Sequence, residues 1–294
     1  MVLRVEPTQW RGRPGRLEVW YTTLTDPASG TGVWLHHELV APVSGDPYTH
    51  GWAAVFPPDG PPVHSRFGPH PYTDGLFTAG DVLMAPHRLT GRAGDVTWNL
   101  RCSPGGEPLY TFPKWAWRHH LLPAAHMVPA PTSTFSGTLT WGSSVLDLAA
   151  APGASARIYG HGNARRWAWL HADLGGGDVL EVVAAVSQRP LFRLLPPLTF
   201  LRLRVGGREY PRRDPLLASF GYKADLTFPT WSVAGRGLRV DVTLPEHQTL
   251  ALNYTNPDGT TAVCRNSERA SCVLTVGDRR WQLDGTAHAE VGIS

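Results

Sequence analysis

The chain has 294 residues with a formal net charge of +3, and its 31 glycines and 27 prolines are spread so evenly that few windows can hold a helix of ordinary length. That length is enough for one large or two smaller domains with cores of their own. The cations are dispersed rather than blocked, which argues against nucleic acid as a partner, and three cysteines do not make a disulfide scaffold.

The opening residues, Met1 to Trp10, lack the apolar run of a secretory signal, and no stretch reaches membrane-spanning length. A cytoplasmic protein with no integral membrane segment is expected. Strands are then predicted over 16–24, 32–40, 51–56, 76–84 and 95–102, separated by turns rich in Pro, Gly, Asp and Ser. Residues 113–131 carry Trp115, Trp117 and paired histidines between prolines, and are predicted to form an ordered interdomain connector without a long helix. Further strands are predicted over 136–141, 145–148, 156–159, 166–173, 179–187, 199–205, 223–227, 238–243, 249–254, 261–264, 272–276 and 287–291. So many short antiparallel candidates imply an all-β chain built of barrels or sandwiches, with few helices. No repeat period supports a solenoid or propeller.

Two local features call for structural readings. Arg202, Arg204, Arg208, Arg212 and Arg213 surround a reverse turn and are expected at a solvated hairpin tip. Cys264 and Cys272 are expected as reduced thiols, although a turn centred on Glu268 would bring them close enough to pair.

The densest chemistry lies between Tyr159 and Asp173. With a strand period of two, Trp167, Trp169, His171 and Asp173 share one face and Ala168, Leu170 and Ala172 the other. Such a face suits the wall of a cavity or a solid core carrying aromatic bulk, and the pattern alone does not separate them. Over 33–40, Trp34, His36 and Glu38 likewise alternate with Leu35, His37 and Leu39. If the Trp34 face lines a cavity, burial raises the Glu38 pKa and makes it a proton donor near neutral pH; if it faces water, Glu38 is a surface acid. His161, between Gly160 and Gly162, is expected to be aimed inward beside the indoles or to cap its own turn.

No metal site is expected. His36 and His37 point to opposite faces of an extended strand, His119 and His120 fail in the same way, and His50, His64, His70 and His87 lack compact ligand spacing. No third glycine follows Gly160-His-Gly162, and neither a Walker A pattern nor a nucleophile elbow occurs, so no cofactor is expected.

Several motifs resemble the tocopherol cyclase-like family, which is grouped with carotenoid 1,2-hydratases and bacterial Diels–Alderase-type enzymes. His161-Gly-Asn163 followed by Arg165-Arg166-Trp167-Ala-Trp169 is similar to that family's Asn-Trp-Gly turn and Arg-Lys-Trp-x-Trp strand, although Ala164 stands where Trp-Gly would follow Asn163. Gly259 with 261–267 resembles its Ala-Cys-Arg-Asp-Ser stretch, 285–292 its closing strand, and Leu17-Glu18-Val-Trp20-Tyr21 its opening Glu-Gly-Trp-Tyr. The resemblance implies two lipocalin-like barrels, about 1–125 and 126–294. It also implies a cofactor-independent cyclase, isomerase or hydratase acting on a small apolar molecule of isoprenoid or polyketide type.

The candidate catalytic groups are then His161 and Asn163 for polarisation or proton handling, with Glu38 and His171 as alternative acid or base. Trp34, His36, Tyr159, Trp167, Trp169, Trp115 and Trp117 are the candidate substrate-binding residues, aromatic walls that can fold a flexible substrate and stabilise positive charge. Arg166 points away from Trp167 and is read as structural. The alternatives are a carrier that uses the same cavity without chemistry, and a scaffold whose cavity is filled by Trp side chains.

Overall fold

A computed structural model describes residues 8–189 and 193–294; residues 1–7 of the opening stretch lie outside the described residues. The chain divides into two compact units. The first runs to Pro108 and resumes with Leu122–Gly162 and Asn256–Gly259, and the second comprises Leu109–Leu121, Asn163–Thr255 and Thr260–Ser294.

In the first unit the strands are β1 (Arg16–Thr25), β2 (Gly32–Ala41), β3 (Tyr48–Phe56), β4 (Val63–Pro71), β5 (Phe77–Ala79), β6 (Val82–Ala85), β7 (Arg88–Ala93), β8 (Val96–Ser103), β9 (Ala124–Trp141) and β10 (Ser144–Gly160). They form one antiparallel sheet in the order β4-β3-β2-β1-β10-β9-β8-β7-β6-β5. Neighbours in space therefore follow the chain around a ring closed by β1 with β10, and at the remaining seam β5 approaches β3 and β4. This is the up-and-down barrel arrangement, in which curling removes most of the exposed edge. The tight β1–β2 turn is set by Asp26, whose carboxylate accepts from the Ser29 backbone N–H and hydroxyl, with Gly30 at φ +72°.

The second unit holds β11 (Arg166–Gly175), β12 (Asp178–Val186), β13 (Leu198–Val205), β14 (Arg208–Tyr210), β15 (Lys223–Asp225), β16 (Thr230–Gly235), β17 (Leu238–Thr243), β18 (Leu250–Thr255), β19 (Thr261–Val276) and β20 (Arg279–Ile293). Its ten strands are again antiparallel and run β14-β13-β12-β11-β20-β19-β17-β16-β15, with β18 paired to the first half of β19. Among the described residues of this unit are two short α-helices, α1 (Lys114–His119) and α2 (Pro215–Ser219), and a single 3-10 turn, Glu246–Gln248.

One face of each sheet makes the apolar core. In the first unit Leu24, Leu35, Leu39, Val55, Leu100 and Phe135 pack together; in the second, Leu170, Leu180, Val182, Trp231, Val240 and Leu274 do so. Strand alternation then sends the intervening residues of β2, β11 and β12 to the other face.

The all-β fold with few helices agrees with the sequence expectation, and several details do not. A cut at residue 125 misplaces β9 and β10, because their ladders run to β8 and β1, whereas 109–121 packs with the later residues. The connector after Pro123 is itself the start of β9; Pro129 and Pro131 fit because the β8 ladder ends at Ser103 opposite Thr134, leaving those positions free of a partner that would need their N–H. The predicted strand 76–84 is a hairpin broken at Gly80, and β4, with its prolines and alternating polar residues, gave no strand signal. No turn occurs at Glu268. β19 runs straight through it with bulges, so Cys264 and Cys272 are buried free thiols eight positions apart on one strand, roughly 25 Å along its axis. At the arginine hairpin, Arg208, Arg212 and Arg213 are exposed as expected, but Arg204 is buried against Glu209 at 2.6 Å, and Arg202 donates to the Tyr110 and Pro211 carbonyls.

Gly51 is one position where the first sheet tolerates no side chain: a Cβ there would lie 1.9 Å from the His36 carbonyl oxygen and 2.4 Å from the Phe67 ring. Gly51→Ala is expected to cost at least about 2 kcal/mol, because the clash includes backbone that cannot rotate away. Thermal unfolding checks this, and an unchanged midpoint would show that the β2–β3 spacing is looser than described.

Candidate functional site

In the first unit the face of β2 opposite the core carries Trp34, His36 and Glu38, all buried. Cross-strand register places His36 beside Tyr21 and Trp52, and Glu38 beside His50. The Glu38 carboxylate group lies 3.2 Å from His36 Nε2 and 3.6 Å from His50 Nε2. Trp34 and Trp52 flank the His36 ring at 4.8 and 5.2 Å between centroids. The exposed Arg66 sits over the Trp52 ring and reaches His50 Nδ1 at 3.4 Å. Burial raises the Glu38 pKa, with opposing effects from His50 and Arg66, and burial lowers His36 to about 3 and His50 to about 4. Burial therefore disfavours charge on the carboxyl and on both imidazoles alike. Tyr21 Oη and His126 Nε2 form a separate hydrogen bond of 2.7 Å. His37, on the core face, sits between Phe67 and Phe77, as strand alternation requires.

In the second unit the face of β11 opposite the core carries Trp167, Trp169 and His171, again all buried. Here both indole N–H groups and one imidazole nitrogen face a glutamate. Trp169 Nε1 donates to one oxygen of Glu181 at 2.6 Å and His171 Nδ1 lies 2.8 Å from the other, while Trp167 Nε1 donates to Glu290 at 2.7 Å. Register explains the set, since Glu181 and His288 both stand directly opposite His171, and Glu290 opposite Trp169. His288 stacks on His171 with centroids 6.0 Å apart, and its Nδ1 is 2.7 Å from Glu268 but not aligned for a hydrogen bond, while Glu268 accepts from Asn266 Nδ2 at 3.1 Å. Burial raises Glu268 well above the usual carboxylate range, against the pull of Asn266 and His171, and burial lowers His288 to about 3, helped by His171. His171 Nε2 is buried with no hydrogen-bond partner among the described residues. Cys264 donates to the second oxygen of Glu290 at 3.3 Å.

The other predicted residues fall elsewhere. His161 is not aimed inward, and it does not cap its own turn: its ring is exposed and Nδ1 lies 3.0 Å from the carbonyl oxygen of Pro123, at the entry to β9. Asn163 is half-buried just before β11. Tyr159 is buried on β10 opposite Glu18, within the first unit. Trp117 is buried in α1 and Trp115 half-buried. Arg166 donates to the Leu226 carbonyl at 2.8 Å, a structural tie. Among the described residues, no group of three or more His, Cys, Asp or Glu side chains is arranged to hold a metal ion.

Sequence reasoning missed His50, Trp52, Glu181, Glu268, His288 and Glu290. Tyr48-Thr-His50-Gly-Trp52 and Ala287-His-Ala-Glu290 carry the alternation that marked β2 and β11, so period two could have found them. Glu268 had no such signal, because the β19 bulges around it reset the faces.

Burial raises Glu290 to about 6, with the Trp167 and Cys264 hydrogen bonds opposing. The fold thus binds this proton more tightly than the unfolded chain does. Its contribution to stability is fully present below the unfolded value near 4.5 and is lost as pH rises through about 6, a change on the order of 2 kcal/mol. The Trp167 indole N–H resonance is expected to titrate with a midpoint near 6 and to lose that titration in Glu290→Gln; a flat profile in the native chain would refute the assignment.

Residues 95–292 match the model of the tocopherol cyclase-like family. Two Mycobacterium tuberculosis proteins, uncharacterized protein Rv0493c of strain H37Rv and uncharacterized protein MT0513 of strain CDC 1551, are each 46% identical over 293 residues, covering 97% of this chain and 88% of theirs. In fold the chain resembles a putative AttH from Nitrosomonas europaea, with TM-score 0.66 at 15% identity over 94% of this chain and 92% of that one. It also resembles kievitone hydratase from Nectria haematococca, with TM-score 0.59 at 10% identity over 95% and 89%. These low identities speak for the fold alone, whereas the family match spans β8 to Gly292 and takes in the whole His171 cluster. The chain belongs to the tocopherol cyclase-like family.

Proposed function

We propose that the protein is a cofactor-independent cyclase, isomerase or hydratase that transfers a proton to and from an apolar substrate of isoprenoid or polyketide type, at the cluster around His171. The observation that carries this reading is the buried, unpartnered Nε2 of His171, whose other ring nitrogen is held by Glu181. A carboxylate on Nδ1 leaves the Nε2 lone pair to take a proton, the orienting logic of acid–base and nucleophilic sites. Glu181 is itself fixed by the Trp169 indole, so it acts as a positioning residue.

Glu268 supplies the opposite function. Burial favours its protonated form, and in that form a carboxyl within the same cluster is a donor. Donation to a substrate double bond leaves a carbocation, which the faces of Trp167 and Trp169 can stabilise because their N–H edges are already engaged. His171 then takes a proton from the incoming oxygen nucleophile. If that nucleophile is water the net reaction is hydration, if it is a hydroxyl of the substrate the product is cyclised, and if a C–H proton leaves instead the double bond moves. The family name and the hydratase among the fold neighbours fit this range.

Glu38, between His36 and His50, is the alternative acid in the first unit, with Trp34 and Trp52 beside it. His161 has no part in this scheme. A carrier is the second reading, favoured by one feature: the indoles and carboxylates hold each other so completely that they would also serve as a rigid lining for a passive ligand.

Turnover of an apolar extract of the producing cells in heavy water, read by mass spectrometry as deuterium bound to carbon, tests the scheme. His171→Gln is expected to lower incorporation about a hundredfold or more, with the unfolding midpoint kept within a few degrees. Glu38→Gln is expected to leave it within about threefold, well below the effect of removing an acid or base. If Glu38→Gln causes the large loss and His171→Gln does not, the chemistry lies in the first unit. An apolar ligand that co-purifies with the native chain and takes up no deuterium would make the protein a carrier.

A further inference from the structure

The segment from Arg208 to Lys223 plays no part in the chemistry above, and its side chains divide sharply. In α2, Pro215, Ala218 and Ser219 are buried, and Ala218 packs into the apolar core with Leu201, Leu203 and Tyr222. The helix is fixed at its start by Asp214, which accepts from the Leu216 N–H at 2.9 Å, and is tied at its end by Arg236 Nε, 3.3 Å from the Ala218 carbonyl oxygen. Held on that rigid seat, Leu217 and Phe220 project outward with 66% and 70% of their surface exposed.

Exposed cations flank the helix in sequence, and Arg236 is tied to its Ala218 carbonyl. Arg208, Arg212, Arg213, Lys223 and Arg236 are all at the surface. Asp214 and Asp225 are the exposed carboxylates of the same stretch, the first spent on the helix cap and the second accepting from Thr227 at 2.6 Å. Glu209 is paired with Arg204. Five cations against two carboxylates make the rim positive.

We propose that this surface docks the protein on an anionic lipid bilayer. Reversible membrane attachment takes two weak signals together, a small apolar insertion and a basic rim attracted by the negative surface potential. Leu217 and Phe220 supply the first, and the five cations the second. A protein partner fits less well, because two apolar side chains fall far short of the core that a stable protein interface buries. The bilayer is also where apolar molecules concentrate, so a docked protein meets them without their crossing water.

The test uses the full chain without any substrate, so its outcome is independent of the catalytic reading. Co-sedimentation is measured with vesicles of phosphatidylcholine alone and of phosphatidylcholine mixed with phosphatidylglycerol. Binding is expected to the mixed vesicles, weakening as salt is raised. The double variant Arg212→Glu/Arg213→Glu is expected to bind at least about tenfold less, and Leu217→Ser/Phe220→Ser is expected to lose binding to a similar degree, all with an unchanged unfolding midpoint because the replaced side chains are exposed. Native protein that leaves the mixed vesicles unbound, or binding that both variants retain, overturns the proposal.

Discussion

The ladder between β1 and β10 is the constraint on which the first unit depends. It pairs Leu17 to Leu24 with Gly160 back to Gly153, across more than half of that unit's chain, and the ladder between β11 and β20 does the same for the second. Each brings the last strand of a meander back beside the first. Once closed in this way, a sheet has an apolar face that makes a core and another face whose residues are set side by side by register alone. The imidazoles, indoles and carboxyls meet there because their partners stand directly opposite, not because they are near in sequence.

What happens to buried carboxyls differs with the partner. Glu18 lies against the Arg157 guanidinium at 2.5 Å; burial raises its pKa and the arginine opposes. A permanently charged partner makes that pair a structural tie, strongly destabilising to break by halves. Glu38 and Glu268 have imidazoles instead. Burial disfavours charge on both members, raising the acid and lowering the base. The same low-dielectric surroundings thus act on an arginine-held carboxyl in one place and on carboxyl–imidazole pairs in two others.

The Glu181–His171 pair adds geometry to this. Its carboxylate is fixed from the other side by Trp169, so the ring nitrogen left over points from a defined position. A histidine without such a neighbour, like His37 between two phenylalanines, is held only by packing. The ring's orientation is therefore set by residues two and ten positions away in sequence, reached through the strand period and through the β11–β12 ladder.

The sequence by itself determined the all-β class, the positions of β1, β2, β11, β12, β13 and β17, and the facing of Trp34, His36, Glu38, Trp167, Trp169 and His171, because strand alternation is local and fixed by backbone sterics. It also showed that His36 and His37 part company. Only the tertiary structure decided that β9 and β10 complete the first sheet, that β19 passes straight through Glu268, and that Glu181, Glu268, His288 and Glu290 stand against the predicted histidine and tryptophans. It likewise turned His161 outward, against the Pro123 carbonyl. Strand pairing over long separations, and bulges that reset a strand's faces, depend on which ladder wins when the whole sheet closes, and no local window carries that information.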